Sequence, residues 1–295
     1  METTPQPMTA ADNAIPRLAL STGALIPQLG FGTYKVTEDL IPQVIPAAIS
    51  LGYRHFDTAQ MYQNEAALGH ALTQTQEQGV AREDLFITTK LNNQNHAPAD
   101  VHRSFKQSLA DLQLDYVDLF LVHWPLPKLY DGKYDETWKA MIEIYQSGQA
   151  KAIGVSNFER NHLDKIIDAT GFVPHANQIQ IHPYLASNEL REYCKSLGIV
   201  VEAWSPISRG KVLSDPAVTA AANRLGRTAA QIVLRWAIER GDVIFPKSVN
   251  PERMKENMGL FDFTLDSETR KALDSLDQGE AGRHGPHPDE ADFLR

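Results

Sequence analysis

The chain has 295 residues, 42% of them hydrophobic and 22% charged, with a net charge of −9. That composition belongs to an ordinary globular protein with enough apolar material for a large core, and the length suits one α/β barrel of about 250 residues or two smaller domains. The acidic balance, without any long Lys/Arg cluster, excludes a nucleic-acid partner, because neutralising phosphates takes a basic stripe.

Other absences narrow the setting. The single cysteine, Cys194, precludes an intrachain disulfide and lies in the helical stretch Glu189 to Leu197, where a buried structural thiol fits better than a nucleophile without a base. No apolar run reaches the ~18 residues of a membrane span, and no charged segment followed by an apolar one opens the chain. A cytoplasmic protein without membrane contact is expected.

Taken in chain order, residues 1–13 are rich in Thr, Pro, Gln and Ala without apolar periodicity and read as a loose leader, leaving 14–295 as one domain. Leu18 to Leu20 and Ala24 to Ile26 flank Ser21-Thr22-Gly23, a hairpin that could plug one end of a barrel. Short apolar runs then alternate with amphipathic stretches. The runs are Leu29 to Gly32, Arg54 to Asp57, Leu85 to Lys90, Val117 to His123, Ala152 to Val155, Asn177 to Ile181, Val200 to Ala203 and Val243 to Phe245, eight in all.

Helical patterns between them include Glu65 to Gln78, Asp100 to Gln113 (Val101, Phe105, Leu109 and Leu112 at helical spacing), Glu136 to Ser147 and Thr228 to Arg240. Eight strands without strict alternation predict an α/β fold, a (β/α)8 TIM barrel with an N-terminal β-hairpin, its strands buried on both faces. No Gly-x-Gly-x-x-Gly follows a strand, so a doubly wound dinucleotide fold is disfavoured. Asp57, Lys90, His123, Asn157, Trp204 and Lys247 fall at or just past strand C-termini, the rim where barrel enzymes place their chemistry.

Four segments, Phe56-Asp57-Thr58-Ala59-Gln60-Met61-Tyr62-Gln63-Asn64-Glu65, Thr88-Thr89-Lys90, Leu121-Val122-His123-Trp124-Pro125 and Gly154-Val155-Ser156-Asn157-Phe158, together with Pro246-Lys247-Ser248, closely resemble the aldo-keto reductase family. The resemblance runs from about Leu18 to Asp289. It implies a catalytic tetrad of Asp57, Tyr62, Lys90 and His123, reducing a carbonyl with NADPH. The residue types suit that task. An alkoxide formed by hydride transfer needs a proton, which Tyr62 can donate; a nearby Lys90 ammonium would lower a phenol pKa of about 10. Asp57 would hold Lys90, and His123 would orient the carbonyl oxygen. Singly, Asp57, Lys90 or His123 is equally a strand-end residue satisfied by backbone, and Tyr62 a surface aromatic; jointly they are not.

The resemblance also implies cofactor contacts. Ser156, Asn157 and Gln178 would meet the nicotinamide carboxamide, and Trp204 would stack on its ring; core packing is the secondary reading of Trp204. Thr33, Asp57, Ser205 and Val249 join the implied NADPH/NADP+ set. Asn250 as N-cap and Pro251 as first helical residue open a helix whose Lys247, Ser248 and Arg253 would hold the 2′-phosphate, with Glu256 and Asn257 at the adenine; locally the segment reads as a capped surface helix.

Tyr34 and Trp124, with Tyr62 and His123, would line the small-molecule carbonyl pocket. The short Pro125 to Tyr134 loop and the small segment beyond Asp289 suggest an open pocket. Val243 to Lys247 and Gly282 to Glu290 look most like bacterial 2,5-diketo-D-gluconate reductases, and many such relatives are monomers. No metal is expected, since His123 has no partner at ligand spacing and His284 and His287 sit in a Gly/Pro-rich tail. The alternative is a non-catalytic NADP-binding regulatory subunit of the same fold, against which the complete tetrad argues.

Overall fold

A computed structural model describes residues 15–294, so the expected leader lies outside the described residues. The chain opens with an antiparallel hairpin, β1 (Arg17–Ala19) and β2 (Leu25–Pro27), in which Leu18 faces Ile26. Eight parallel strands follow: β3 (Phe31–Gly32), β4 (His55–Asp57), β5 (Phe86–Leu91), β6 (Leu119–Val122), β7 (Ile153–Ser156), β8 (Ala176–Gln180), β9 (Val200–Trp204) and β10 (Val243–Ile244). Each pairs with its sequence neighbour. The last meets the first through a parallel bridge between Leu29 and Ile244, with Gly30 N–H donating to Ile244 O at 2.9 Å and Ile244 N–H to Gln28 O at 3.0 Å. That closure makes the sheet a barrel.

Helices α1 (Ile41–Ser50), α2 (Glu65–Glu77), α3 (Pro98–Leu112), α4 (Tyr134–Gln146), α5 (Arg160–Thr170) and α6 (Asn188–Ser196) separate successive strands from β3 to β9. Both α7 (Pro216–Leu225) and α8 (Ala229–Glu239) lie between β9 and β10, and α9 (Pro251–Met258) and α10 (Ser267–Asp274) follow the last strand. The expected elements are all present: β3, β4, β6 and β10 are shorter than expected, β5, β7 and β8 are shifted by one residue, and β9 extends one residue further to Trp204. Val117 makes only an isolated bridge, and His123 lies past the end of β6, because the rim loops begin there.

Strand period two sorts the core into two layers. Phe56, Ile87, Phe120, Val122 and Ile153 face outward onto Leu68, Phe105, Trp138, Met141 and Trp236 of the helices. Phe86, Leu119, Ala152, Ala176 and Val243, at the strands' N-terminal ends, point inward and cluster with Leu20 and Ile26 of the hairpin. The hairpin therefore plugs the bottom, as expected. At Gly154 a side chain could not fit, since an added Cβ would stand 2.5 Å from Ala176 O on β8. The same alternation turns Asp57, Lys90, Gln178 and Glu202 inward near the opposite end, where their side chains hydrogen-bond to one another.

Candidate active site

Lys90 is the centre of the site. Its side chain is fully buried in the barrel, and its Nζ donates to Asp57 Oδ1 (2.7 Å), Asp57 Oδ2 (2.8 Å) and Thr58 O (2.9 Å). The Tyr62 hydroxyl lies 3.4 Å from the same nitrogen. Tyr62 closes the short 3-10 turn Gln60–Tyr62, which Gln63 ends in a left-handed conformation (φ 55°). Asn64 ties this turn to the first strand's loop: its Nδ2 donates to Thr33 O (3.1 Å) and Val36 O (3.0 Å), while its Oδ1 accepts from Thr58 Oγ1 (2.9 Å). The buried Thr33 hydroxyl donates to Asp57 O at 3.0 Å, bracing the strand that carries the carboxylate.

The His123 ring stands edge-on to Tyr62 with centroids 5.8 Å apart, and the Tyr34 ring is 5.1 Å from Tyr62 on another side. The tetrad expected from sequence is thus one contiguous group. Burial pulls the Lys90 ammonium down, but Asp57, helped by Tyr62 and Glu202, outweighs it and holds the lysine charged. Burial and the Lys90 charge hold His123 neutral, well below the usual histidine range.

Tyr62 departs from expectation. Burial raises its pKa, Lys90 pulls it down, and the net direction is upward rather than downward. Desolvating a phenolate beside the Asp57 carboxylate is harder than one ammonium can offset.

The residues expected at the nicotinamide form a second linked group beside the tetrad. Ser156 Oγ donates to Gln178 O (2.9 Å), and Asn157 Nδ2 donates to His123 O (2.9 Å) and Ser156 Oγ (3.0 Å). The half-buried Trp204 indole N–H donates to Asn157 Oδ1 at 2.9 Å, which fixes its ring orientation. Ser205 follows it with φ 56°. Gln178 Nε2 donates to Asp57 Oδ2 (2.8 Å) and Glu202 Oε2 (3.1 Å). The expectation that Gln178 offers both donor and acceptor is therefore corrected, because its two N–H groups are engaged and only Oε1 remains.

The segment after β10 differs in character. Asn250 caps α9 by accepting from Arg253 N–H at 3.2 Å, and Pro251 is its first residue. Ser248 is buried with its Oγ accepting from Asn250 N–H at 3.1 Å, whereas Lys247, Val249 and Arg253 are exposed. Neither Lys247 nor Arg253 forms an ion pair with a described residue. Glu256 accepts from Thr228 Oγ1 at 2.5 Å, so one of its carboxylate oxygens is already held by the protein; Asn257 is buried.

Residues 279–294 pack back onto the barrel. Gly282 packs against Tyr184 O so closely that no Cβ would fit. Arg283 grips Glu159 (3.1 Å) and Glu280 (2.7 Å), and Asp289 pairs with His162 (2.9 Å) and Asn161 (3.1 Å). Asn93 Nδ2 donates to Phe293 O at 3.0 Å, and the Phe293 ring meets Trp124 edge-on at 5.1 Å. The tail thus folds back against the residue expected to wall the pocket. Phe293 and Asn93 were not legible as site residues, since their pairing joins distant segments.

Glu202 was also missed, although one carboxylate inside the apolar run Val200 to Ala203 was a usable sign. Burial, reinforced by Asp57, pushes its carboxyl up to about 8. Cys194 is buried and its thiol is pushed up to about 11, as a structural thiol should be. His284 hydrogen-bonds Ser208 Oγ (2.7 Å), and among the described residues no His/Cys/Asp/Glu group could hold a metal. No described helix is long and apolar enough to cross a membrane.

A closed barrel carrying Tyr, Lys, Asp and a neutral His together at its C-terminal rim defines a carbonyl oxidoreductase. Residues 28–278 match the Aldo/keto reductase family. An aldo-keto reductase of Mycolicibacterium smegmatis is 42% identical over 279 residues, covering 95% of this chain and 99% of that protein. A glyoxal reductase of Bacillus subtilis is 41% identical over 275 residues, covering 93% and 96%. A crystal structure of a Gox0644 variant in complex with NADPH superposes with a TM-score of 0.89 at 39% identity, covering 95% of this chain and 100% of that one. The chain belongs to the aldo/keto reductase family and is an enzyme of that class.

Proposed function

We propose that this enzyme reduces small polar aldehydes and keto acids to alcohols with NADPH, Tyr62 supplying the proton. The observation that carries the proposal is the Asp57–Lys90–Tyr62 chain of contacts, with Lys90 Nζ 2.7 Å from Asp57 and 3.4 Å from the Tyr62 hydroxyl. NADPH, when bound, would supply a hydride to the carbonyl carbon. A neutral His123 donates a hydrogen bond to the carbonyl oxygen, and the Lys90 ammonium stabilises the charge gathering there. A raised Tyr62 pKa does not impede the step: an alkoxide is far more basic than a phenolate, so the phenol keeps its proton until the alkoxide develops and then gives it up.

Two features fit the cofactor. Gln178 Oε1 is left as an acceptor beside Trp204 and Asn157 for a carboxamide, and the exposed Lys247 and Arg253, with Ser248, suit a 2′-phosphate. For the substrate, the polar surroundings of Tyr62 and the likeness to a glyoxal reductase support small dicarbonyls, with 2,5-diketo-D-gluconate as a keto-acid member of the same class. Purified protein mixed with NADPH and a panel of glyoxal, simple aldehydes and 2,5-diketo-D-gluconate tests this through loss of NADPH absorbance. Turnover is expected. NADPH binding without turnover of any of them would overturn the proposed substrate class.

A further inference from the structure

Gln178 has an amide whose orientation the barrel interior dictates. Its Nε2 lies between two carboxyl groups, 2.8 Å from Asp57 Oδ2 and 3.1 Å from Glu202 Oε2. The reversed amide would press its carbonyl oxygen against the Asp57 carboxylate and give up the hydrogen bond to Glu202 Oε2. A primary amide has two N–H donors, and here both are taken inward, so Oε1 alone faces outward. No described residue donates to it. Asp57 belongs to the tetrad, whereas Glu202 does not. Glu202 is fully buried on β9, directly opposite Gln178 in the strand register, and its Oε1 has no partner among the described residues.

We propose that Glu202 is a positioning residue: by taking the second N–H of Gln178 it locks that amide with Oε1 outward, so that the site reads the NH2 group of a primary carboxamide. The proposal rests on the reading of Gln178 as a nicotinamide contact. Without Glu202 one N–H would be buried and unsatisfied, and the amide would rotate to find a partner, losing the fixed acceptor. The groups facing Glu202 are Asp57 on β4, Lys90 on β5 and Gln178 on β8; burial in their midst pushes the carboxyl up to about 8, so near neutrality it is an uncharged acceptor. A glutamine there would offer Gln178 the same carbonyl oxygen. An apolar side chain of similar size would not.

The test compares NADPH with its 3-acetylpyridine analogue, in which a methyl replaces the carboxamide NH2, by dissociation constants on the intact protein. The native enzyme should favour NADPH. Glu202→Met, with Glu202→Leu as a second apolar replacement, should weaken NADPH by about tenfold, the worth of one well-placed hydrogen bond, and the analogue far less. Glu202→Gln should restore the native discrimination. Equal weakening toward both cofactors, or no change toward either, would overturn the proposal, as a purely structural role predicts the former. Gln178→Leu distinguishes the role of Glu202 from the assignment of Gln178 beneath it. If it leaves discrimination intact, Gln178 does not read the amide and that assignment falls; if it abolishes discrimination while the apolar Glu202 variants keep it, only the role of Glu202 falls.

Discussion

Lys90 and Arg253 are both cations at the C-terminal end of the barrel, yet they live in opposite conditions. Lys90 is fully buried and its ammonium donates to both Asp57 carboxylate oxygens and to Thr58 O. Arg253 is exposed on the first turn of α9, with no acidic partner among the described residues. At the tetrad the protein has assembled and desolvated its own charges before any substrate arrives, which makes each worth more in low dielectric and leaves little to reorganise. At α9 it leaves cations in water, as the proposed 2′-phosphate contact would require. Removing a group from the first region should disturb fold and chemistry together; removing one from the second should change only what binds.

The largest effect belongs to Lys90. Lys90→Met strands the Asp57 carboxylate in the barrel and should lower unfolding free energy by about 3 to 5 kcal/mol, measured by urea denaturation, with Asp57→Asn in the same chain restoring much of it. A loss below about 1 kcal/mol would mean that the pair is not the desolvated one described.

Glu65 comes next. Its carboxyl is buried against Thr89 Oγ1 (2.6 Å) and Ser108 Oγ (3.1 Å), and burial raises its pKa from 4.5 to about 7. Between those values the folded chain holds a proton that the unfolded chain has lost, so this group's contribution is full below pH 4.5 and declines as pH rises through about 7. Each pH unit in that interval is worth about 1.4 kcal/mol, so the stability of Glu65→Gln relative to native protein should rise by about 3 kcal/mol between about pH 4.5 and 8. A difference that is flat with pH would contradict it.

The smallest effect is at the exposed end. Arg253→Ala should weaken NADPH binding by about tenfold, leave NADH binding almost untouched and leave melting temperature unchanged. Equal weakening toward both cofactors would remove Arg253 from the phosphate.

The same contrast explains what could be read before the structure. Strand-end polar residues such as Asp57, Lys90 and His123 were legible as a set, because several polar groups gathered at one rim of a barrel have few reasons to be there together, although each alone could be satisfied by backbone. The capped start of α9 was equally plain from Asn250 and Pro251. What stayed hidden depends on contacts between distant segments: the pairing of Asn93 with Phe293, the Trp204 indole bound to Asn157, and the orientation of Gln178 by Glu202. The upward direction of the Tyr62 pKa was hidden for a related reason. A neighbouring ammonium is visible in a motif, whereas the depth of burial that opposes it is a property of the closed barrel.

In the proposed reaction Tyr62 carries the proton while the cofactor is held elsewhere. Tyr62→Phe removes one hydroxyl and keeps the ring that packs on His123 and Tyr34. Mixing the preformed NADPH complex of this variant with glyoxal and following a single turnover isolates the chemical step. A rate lower by at least the ~10² of a lost general acid, with the NADPH dissociation constant unchanged, is the predicted result. A rate close to that of the native protein would show that the proton comes from another group and would contradict the account.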